Sequence, residues 1–444
     1  MNEIKIEKYS SYKDSGVEWL GEIPSSWTTK RIKHLFNEIN ERSFDGSEDL
    51  LSVSQYTGVT NKSEKLEDGG MLTNANTLEG YKKVWEGDLV SNIMLAWNGS
   101  LGFSPFNGIT SPAYSIYRLK TKDVNRYFHY LLRTELYKSE FKRNSSGVIE
   151  SRLRLYTDDF FIIESILPPK EEQTAIAAFL DRKTALIDQA VDIKQKQIEL
   201  LKERRQILIH KAVTRGLKAG AKLKDSGVEW IGQIPESWEV KKLKYCLINK
   251  LKYGANESGV EYNANLPRYV RITDFGQDGK LSEDNKLSLS WSQGEDYLLK
   301  DGDILFARSG ATVGKTYQFR MSMSVEDNYC FAGYLIKAES NHELILSDFL
   351  YLYTNSNLFN NWKEGIFNKA TIENIGADKY SQLMVIIPPL TEQKEILEKF
   401  KIDDEKITNA ISLKQQEIEK LKEYKATLIN SAVTGKIKIN NYDE

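Results

Sequence analysis

KDSGVEWLGEIPSSWTTKRIKHL, residues 13–35, returns at residues 224–246 as KDSGVEWIGQIPESWEVKKLKYC, with 14 of 23 positions identical at an offset of 211. A longer block repeats at an offset of 220. Residues 165–218, beginning SILPPKEEQTAIAAFL and ending ELLKERRQILIHKAVTRGLK, match residues 385–438, beginning VIIPPLTEQKEILEKF and ending with NSAVTGKIK, at 21 of 54 positions. Internal repeats of this kind decide a fold before any local pattern does. The order is short block, variable stretch, long block, then the same three again. The variable stretches, 36–164 and 247–384, share only scraps such as Gly87-Asp88-Leu89-Val90 against Gly302-Asp303-Ile304-Leu305. Uniform drift after a gene duplication would not spare both flanks and erase both middles. A frame has been kept and its payload exchanged.

The long block predicts a helix. After Pro168-Pro169 and Pro388-Pro389 the chain runs without Pro or Gly to near Val213 and Val433. A double proline disfavours helix before it and can start one just after. At 1.5 Å per residue each helix is roughly 65 Å long. Apolar residues step alternately by four and three: Ile187, Val191, Ile198, Leu201, Leu208 and Ala212 in the first copy, Ile407, Ile411, Ile418, Leu421, Leu428 and Ala432 in the second. Lys194 and Arg205 interrupt the first series, and Lys414 and Lys425 the second, at the same two places. This is heptad spacing, in which polar seam residues cost stability but can fix register. We expect the two helices to pack on each other as a coiled coil, with two amphipathic helices on separate cores as the alternative. Equivalent repeats pair most simply antiparallel, which makes a pseudo-two-fold and puts the variable domains at opposite ends. Duplex DNA rises 3.4 Å per base pair, so such a rod suits a split, asymmetric DNA sequence.

The variable stretches read as mixed strand and loop with some helix. Period-two alternation and β-propensity predict strands at 51–54, 88–93, 114–119, 269–273, 303–307 and 330–337, and helices at 124–141 and 344–354. Three polar loops recur in each copy: 52–57 against 271–274, 91–100 against 307–315, and 145–154 against 368–371. Arg, Asn, Gln, Ser and Thr are the residue types that read base edges or hold phosphates. Residues 118–154 carry ten Lys and Arg against four Asp and Glu. That local excess is hidden by a net charge of −2 over the 444 residues.

Composition narrows the class. At 40% hydrophobic and 28% charged the chain is globular rather than disordered. No run approaches the roughly 18–20 apolar residues that span a bilayer, and the N-terminal MNEIKIEKYS has no apolar signal core. Two cysteines, Cys246 and Cys330, make no disulfide framework, so a reducing cytoplasm is the expected location. His34, His129, His210 and His342 lie far apart, with no metal-ligand spacing.

Two motifs are decoys. Ser309-Gly310-Ala311-Thr312-Val313-Gly314-Lys315-Thr316 has three residues between its glycines where a phosphate-binding loop needs four, and strand-like sequence follows it. Leu167-Pro168-Pro169 and Ile387-Pro388-Pro389 have the prolines of the adenine-N6 methyltransferase turn, but not the Asn or Asp before them or the aromatic residue after. Acidic pairs such as Asp158-Asp159 and Asp403-Asp404 read as solvated faces. No catalytic set and no metal site is expected, so partners would carry any active site.

The chain resembles the specificity subunit of type I restriction–modification enzymes over nearly its whole length. The likeness rests on Asp14 to Pro24 with Trp27 and its copy at 225–238, on Met94 to Gly102, on Arg308 to Lys315, on the Pro-Pro-Xaa-Xaa-Glu-Gln helix starts, and on the Ala-Val-Thr helix ends at Ala212 and Ala432. The resemblance implies an α+β fold: two α/β target-recognition domains at opposite ends of two long antiparallel coiled-coil helices, as an internal pseudo-two-fold repeat. The segments would be a first recognition domain at 13–169, a central spacer helix at 170–218, a second recognition domain at 224–389 and a C-terminal spacer helix at 390–438. It further implies that each recognition domain reads one half of a bipartite site on double-stranded DNA. Two methyltransferase subunits would dock on this scaffold and use S-adenosylmethionine. A restriction and translocase subunit would use ATP and Mg. None of these cofactors is expected on this chain, and no membrane partner. By matching position, DNA contacts are expected from Ser54, Gln55, Asn92, Asn98, Arg152 and Arg154 for one half-site. Arg271, Thr273, Arg308, Thr312, Lys315, Asn368 and Lys369 are expected to serve the other. The rival reading is a non-DNA coiled-coil adaptor whose two variable heads bind proteins.

Overall fold

The computed structural model describes residues 7–62, 77–121, 123–149, 152–217, 220–276, 279–310, 312–367 and 374–439. The chain forms two compact units that do not follow the linear order of its segments. One joins residues 1–195 to 415–444, and the other is 196–414. Each unit therefore contains one variable head and half of each long helix.

The two long helices span Lys170–Thr214 and Leu390–Val433. The proline pairs set their starts, since the carbonyls of Pro169 and Pro389 accept the first helical bonds, from the Gln173 and Gln393 N–H groups. Their ends come at glycines in the left-handed conformation, Gly216 at φ 66° and Gly435 at φ 75°, the usual helix stop. All twelve apolar residues of the two heptad series are buried or half-buried.

Within the first unit the helix halves run antiparallel: Lys194 pairs with Glu417 at 2.7 Å and Lys425 with Asp188 at 2.6 Å. In the second unit Arg205 Nε lies 2.6 Å from Asp404, and its Nη2 donates to Thr408. Lys194, Arg205 and Lys425, cations that interrupt the heptads, thus meet carboxylates on the other helix. Lys and Arg can reach out of a seam to do so because their stems are apolar and their heads polar.

The first head is built on a four-stranded antiparallel sheet in the order Phe36–Ile39, Tyr114–Leu119, Leu89–Asn92, Leu101–Phe103. Leu51–Ser54 and Gly58–Asn61 form a hairpin beside it. Helices Asn125–Leu131 and Glu135–Arg143 cover the core, where Phe36, Tyr117, Phe128, Tyr137 and Phe141 pack with Phe179 and Leu180 of the first long helix and Val433 of the second. The second head repeats the plan with Lys252–Tyr253, Leu335–Ala338, Ile304–Ala307 and Thr316–Gln318. It adds a second sheet in which Arg268–Val270 runs parallel to Tyr329–Phe331.

The predicted strand at 330–337 is therefore two strands, Tyr329–Phe331 and Leu335–Ala338, one in each sheet. The predicted strand at 269–273 ends at Val270, because the Asp274 carboxylate accepts the Arg271 N–H and curls the chain into a 3-10 turn. The predicted helix at 124–141 breaks after Leu131, where Thr134 caps a new helix through the Tyr137 N–H.

The repeated short block is explained by what it touches. Trp27 and Trp238 are fully buried, and their indole N–H groups donate to Glu172 and Glu392 at the two helix starts. Gln173 and Gln393, also fully buried, accept from the N–H groups of Val124 and Leu346 and donate to the carbonyls of Pro168 and Pro388. A Cβ on Gly435 would fall 2.4 Å from Pro24, and one on Gly216 would fall 2.8 Å from Trp238. Helix start, helix end and short block close on one another in each unit, so all three had to be kept together.

Candidate nucleic-acid interface

In each unit the second candidate loop is bonded to the chain that follows the third. In the first unit the Leu155 N–H, just after the third loop, donates to the carbonyl of Ile93 in the second at 2.8 Å. In the second unit the Ile375 N–H donates to the carbonyl of Arg308 at the same distance. These are equivalent positions of the repeat, so the junction has outlived the divergence of the loops it joins. The first loop is tied in by a cation. Arg133 reaches the carbonyls of Gln55, Tyr56 and Leu101 in the first unit. Lys315 Nζ reaches that of Phe275 at 2.9 Å in the second.

The individual candidates fall into two groups. Exposed side chains available to a partner are Arg152, Arg154 and Thr312; Thr273 is exposed but its hydroxyl donates to Asp274 at 3.4 Å, and Gln55 is half-buried on its turn. The others hold their own loops. Ser54 Oγ accepts the Tyr56 N–H, and Asn92, which is buried, accepts that of Met94. Asn98 accepts from both the N–H and the hydroxyl of Ser100. Arg271 is spent on Asp274 and the Asn285 carbonyl. Arg308 lies over the Tyr253 ring at 5.0 Å and donates to the Gly333 carbonyl at 3.5 Å. Lys315, though exposed, is the tie to Phe275 described above. Asn368 and Lys369 lie outside the described residues. The sequence between Ser309 and Thr316 is the turn of an antiparallel hairpin, with no helix after it to receive a phosphate.

Much of the basic excess at 118–154 is neutralised locally. Asp88 holds Arg118 through two bonds, Asp181 takes Arg126, Glu135 takes Lys138 and Glu140 takes Arg143. Arg152 and Arg154 are among the exposed cations of the stretch.

Sequence reading missed Arg133 and Tyr56. Tyr56 is 82% exposed at the tip of the hairpin. Arg133 is half-buried below it, beside His129. Burial, with Arg133 and Arg126 nearby, lowers the His129 pKa to about 3. The available signal was Thr134, a capping residue inside an otherwise helical pattern, which marks a break where a side chain can be redirected.

Among the described residues no group of three or more His, Cys, Asp and Glu is placed to hold a metal ion, and no helix is long and apolar enough to cross a membrane. Cys246 and Cys330 are both buried as free thiols, and burial pushes their pKa values up to about 11 and about 12.

A family model described as type I restriction modification DNA specificity domain matches residues 24–203 and 235–423. The chain is 24% identical to the type I restriction enzyme MjaVIII specificity subunit of Methanocaldococcus jannaschii over 440 residues, covering 94% of this chain and 95% of that one. It is 22% identical to the EcoKI specificity subunit of Escherichia coli over 303 residues, covering 66% of this chain and 60% of that one. Among solved structures, a chain from a study of assembly and conformational transition in a type I restriction–modification system aligns with TM-score 0.69 at 15% identity. That alignment covers 93% of this chain and 98% of the other. The crystal structure of the HsdS subunit from Thermoanaerobacter tengcongensis aligns with TM-score 0.51 at 15% identity, over 94% and 98%.

Proposed function

Since the chain belongs to the type I restriction modification DNA specificity domain family, we propose that it chooses the DNA sequence for a type I restriction–modification complex whose partner subunits carry the chemistry. Each head reads one half of an asymmetric, bipartite site, and the length of the two long helices sets the spacing between halves. Two methyltransferase subunits dock on the chain and bring S-adenosylmethionine. A restriction and translocase subunit brings ATP and Mg, and the assembly works in the cytoplasm.

The observation that carries this reading is the loop junction. Leu155 to Ile93 and Ile375 to Arg308 are the same hydrogen bond in two heads whose loops differ in sequence. A constant support under variable loops is what a reader of two different half-sites needs, because base contacts specify while the frame only positions. An adaptor with two protein-binding heads is the less favoured reading, since the related proteins are specificity subunits of restriction enzymes.

The test is to express the chain with its methyltransferase partner in a host lacking DNA methylation and to map modified adenines by long-read sequencing. The expected result is N6-methyladenine on both strands of one split, asymmetric motif. A stable complex that methylates no split motif would overturn the reading.

A further inference from the structure

We propose that Arg133 is a positioning residue for the first half-site: it fixes the turn that presents Gln55 and Tyr56 to DNA. This inference rests on the DNA-reading role proposed above and gives that role a structural source in the first head.

The strands Leu51–Ser54 and Gly58–Asn61 are joined by only Gln55, Tyr56 and Thr57. A two-stranded ribbon is marginal alone, and this one overhangs a cleft of about 470 Å3 that Tyr56, His129 and Arg133 share with Thr184, Asp188 and Lys425. The strands pack on the core through Leu51 and Val59, and the turn itself is held from below by one guanidinium. Arg133 Nη2 donates to the Gln55 carbonyl at 2.7 Å and the Tyr56 carbonyl at 2.9 Å, and Nη1 donates to the Leu101 carbonyl at 3.1 Å. Two carbonyls of the turn and one of the strand Leu101–Phe103 are thereby held by one planar group.

Two glycines make room for it. A Cβ on Gly58 would lie 2.8 Å from Arg133 Nη1 and 3.2 Å from His129 Cε1. One on Gly102 would lie 3.1 Å from the Gly58 Cα. Gly58 also has φ 76°, the left-handed residue that closes a three-residue hairpin loop.

The outer side of the turn is the opposite of its inner side. Tyr56 is 82% exposed on a backbone pinned at the Gln55 carbonyl and at its own. A tyrosine held in that way offers a flat face for a base or sugar. The Gln55 amide carries the donor and acceptor pair that matches adenine N6 and N7 in the major groove. Such contacts fail when their support loosens by about an ångström. Lysine is no substitute for Arg133, because an ammonium is a point charge without the planar fork. The second head holds its first loop with Lys315 on the Phe275 carbonyl, so a cation on main-chain carbonyls is used twice with different residues.

The experiment compares Arg133→Lys, Arg133→Gln, Tyr56→Ala and the unmodified chain, each in the complete methyltransferase complex, by motif mapping, thermal midpoint and salt dependence of DNA binding. Arg133→Lys is expected to weaken discrimination against single-base changes in the first half about tenfold, leaving the second half and the salt slope unchanged. Tyr56→Ala is expected to relax the same half with an unchanged midpoint, so the proposal stays testable if the arginine variant folds poorly. Three results would overturn it: no change in the first half with Arg133→Lys or Tyr56→Ala, an equal loss in both halves, or a salt slope lowered by about one when the charge is removed with Arg133→Gln. The last would make Arg133 a direct phosphate ligand. If the unmodified complex itself methylates no split motif, the underlying DNA-reading role fails, a result distinct from all three.

Discussion

The indole N–H of Trp27 donates to Oε2 of Glu172 at 2.8 Å, and the phenol of Tyr9 donates to the same oxygen at 2.7 Å. One carboxylate at the start of a long helix thus gathers Trp27 of the short block and Tyr9 just ahead of it. Glu172→Ala leaves the fully buried Trp27 donor without a partner. We expect a loss of about 1–3 kcal/mol, read as a lower thermal midpoint, and a similar loss for Glu392→Ala, which strands Trp238. Glu172→Gln, which keeps an acceptor, should lose less.

The antiparallel register of the helices is testable by exchange of charge. Asp188→Lys should destabilise by placing like charges together, as should Lys425→Asp. The double exchange should recover most of the loss. Both side chains are partly exposed, at 59% and 31%, so the coupling from a double-mutant cycle should be only about 0.5–1 kcal/mol. A cycle with no coupling would put these residues out of contact.

Arg268 is a buried cation between Glu283 and Glu326, with Lys286 and the Tyr329 hydroxyl completing the network. Removing one partner of a buried pair costs more than the pair was worth, because the other charge is left stranded. Arg268→Met should therefore destabilise by about 3–5 kcal/mol, measured as a shift in denaturant midpoint. Burial alone would raise the Glu326 pKa, yet bonds from Tyr329, Lys286 and Arg268 hold it at about 2. The stability it contributes is present above the unfolded carboxylate pKa of about 4.3 and is lost as pH falls from there toward 2.

His129 acts in a different acid window. Its folded pKa of about 3 lies below the unfolded value of about 6.5, so the unfolded chain binds the extra proton between those values. Stability contributed by neutral His129 is complete above pH 6.5 and declines as pH falls toward 3, by about 2 kcal/mol at pH 5. His129→Gln should flatten the pH dependence of the thermal midpoint between pH 7 and pH 5 while leaving the steeper loss below pH 4.

Exchanging residues 36–164 for the corresponding stretch of another family member should change one half of the DNA target and leave the other intact. Methylation mapping reads this directly. A change in both halves would show that the heads do not read independently.

The long helices were legible because their signals are local. Pro169 and Pro389 start them and Gly216 and Gly435 stop them, and the heptads need no tertiary information. Strands at 51–54 and 114–119 were legible for the same reason, since alternation records which face is buried. The break before Arg133 was harder to read, because apolar periodicity continues through it and the cap at Thr134 is its one local signal. The change of sheet at Gly333 and Tyr334 was likewise invisible, since both strands it separates are apolar. Among site residues the difficulty was chemical. Asn92 and Asn98 have the right groups to face DNA, but small amides serve equally well to close a turn, and only the hydrogen-bond partners distinguish the two uses.

Each unit borrows one of its two helix halves from the other repeat, residues 415–444 in one case and 196–214 in the other. A polypeptide ending after the first long helix would carry a complete head but leave Ile187 and its neighbours without Leu421 and Leu428 to pack on. A second copy of the same fragment holds the equivalent residues in the equivalent order and can supply them. Such a fragment should pair with itself, and its two heads would then be identical. Its target would be an inverted repeat, so truncation alone should turn a reader of an asymmetric site into a reader of a palindrome.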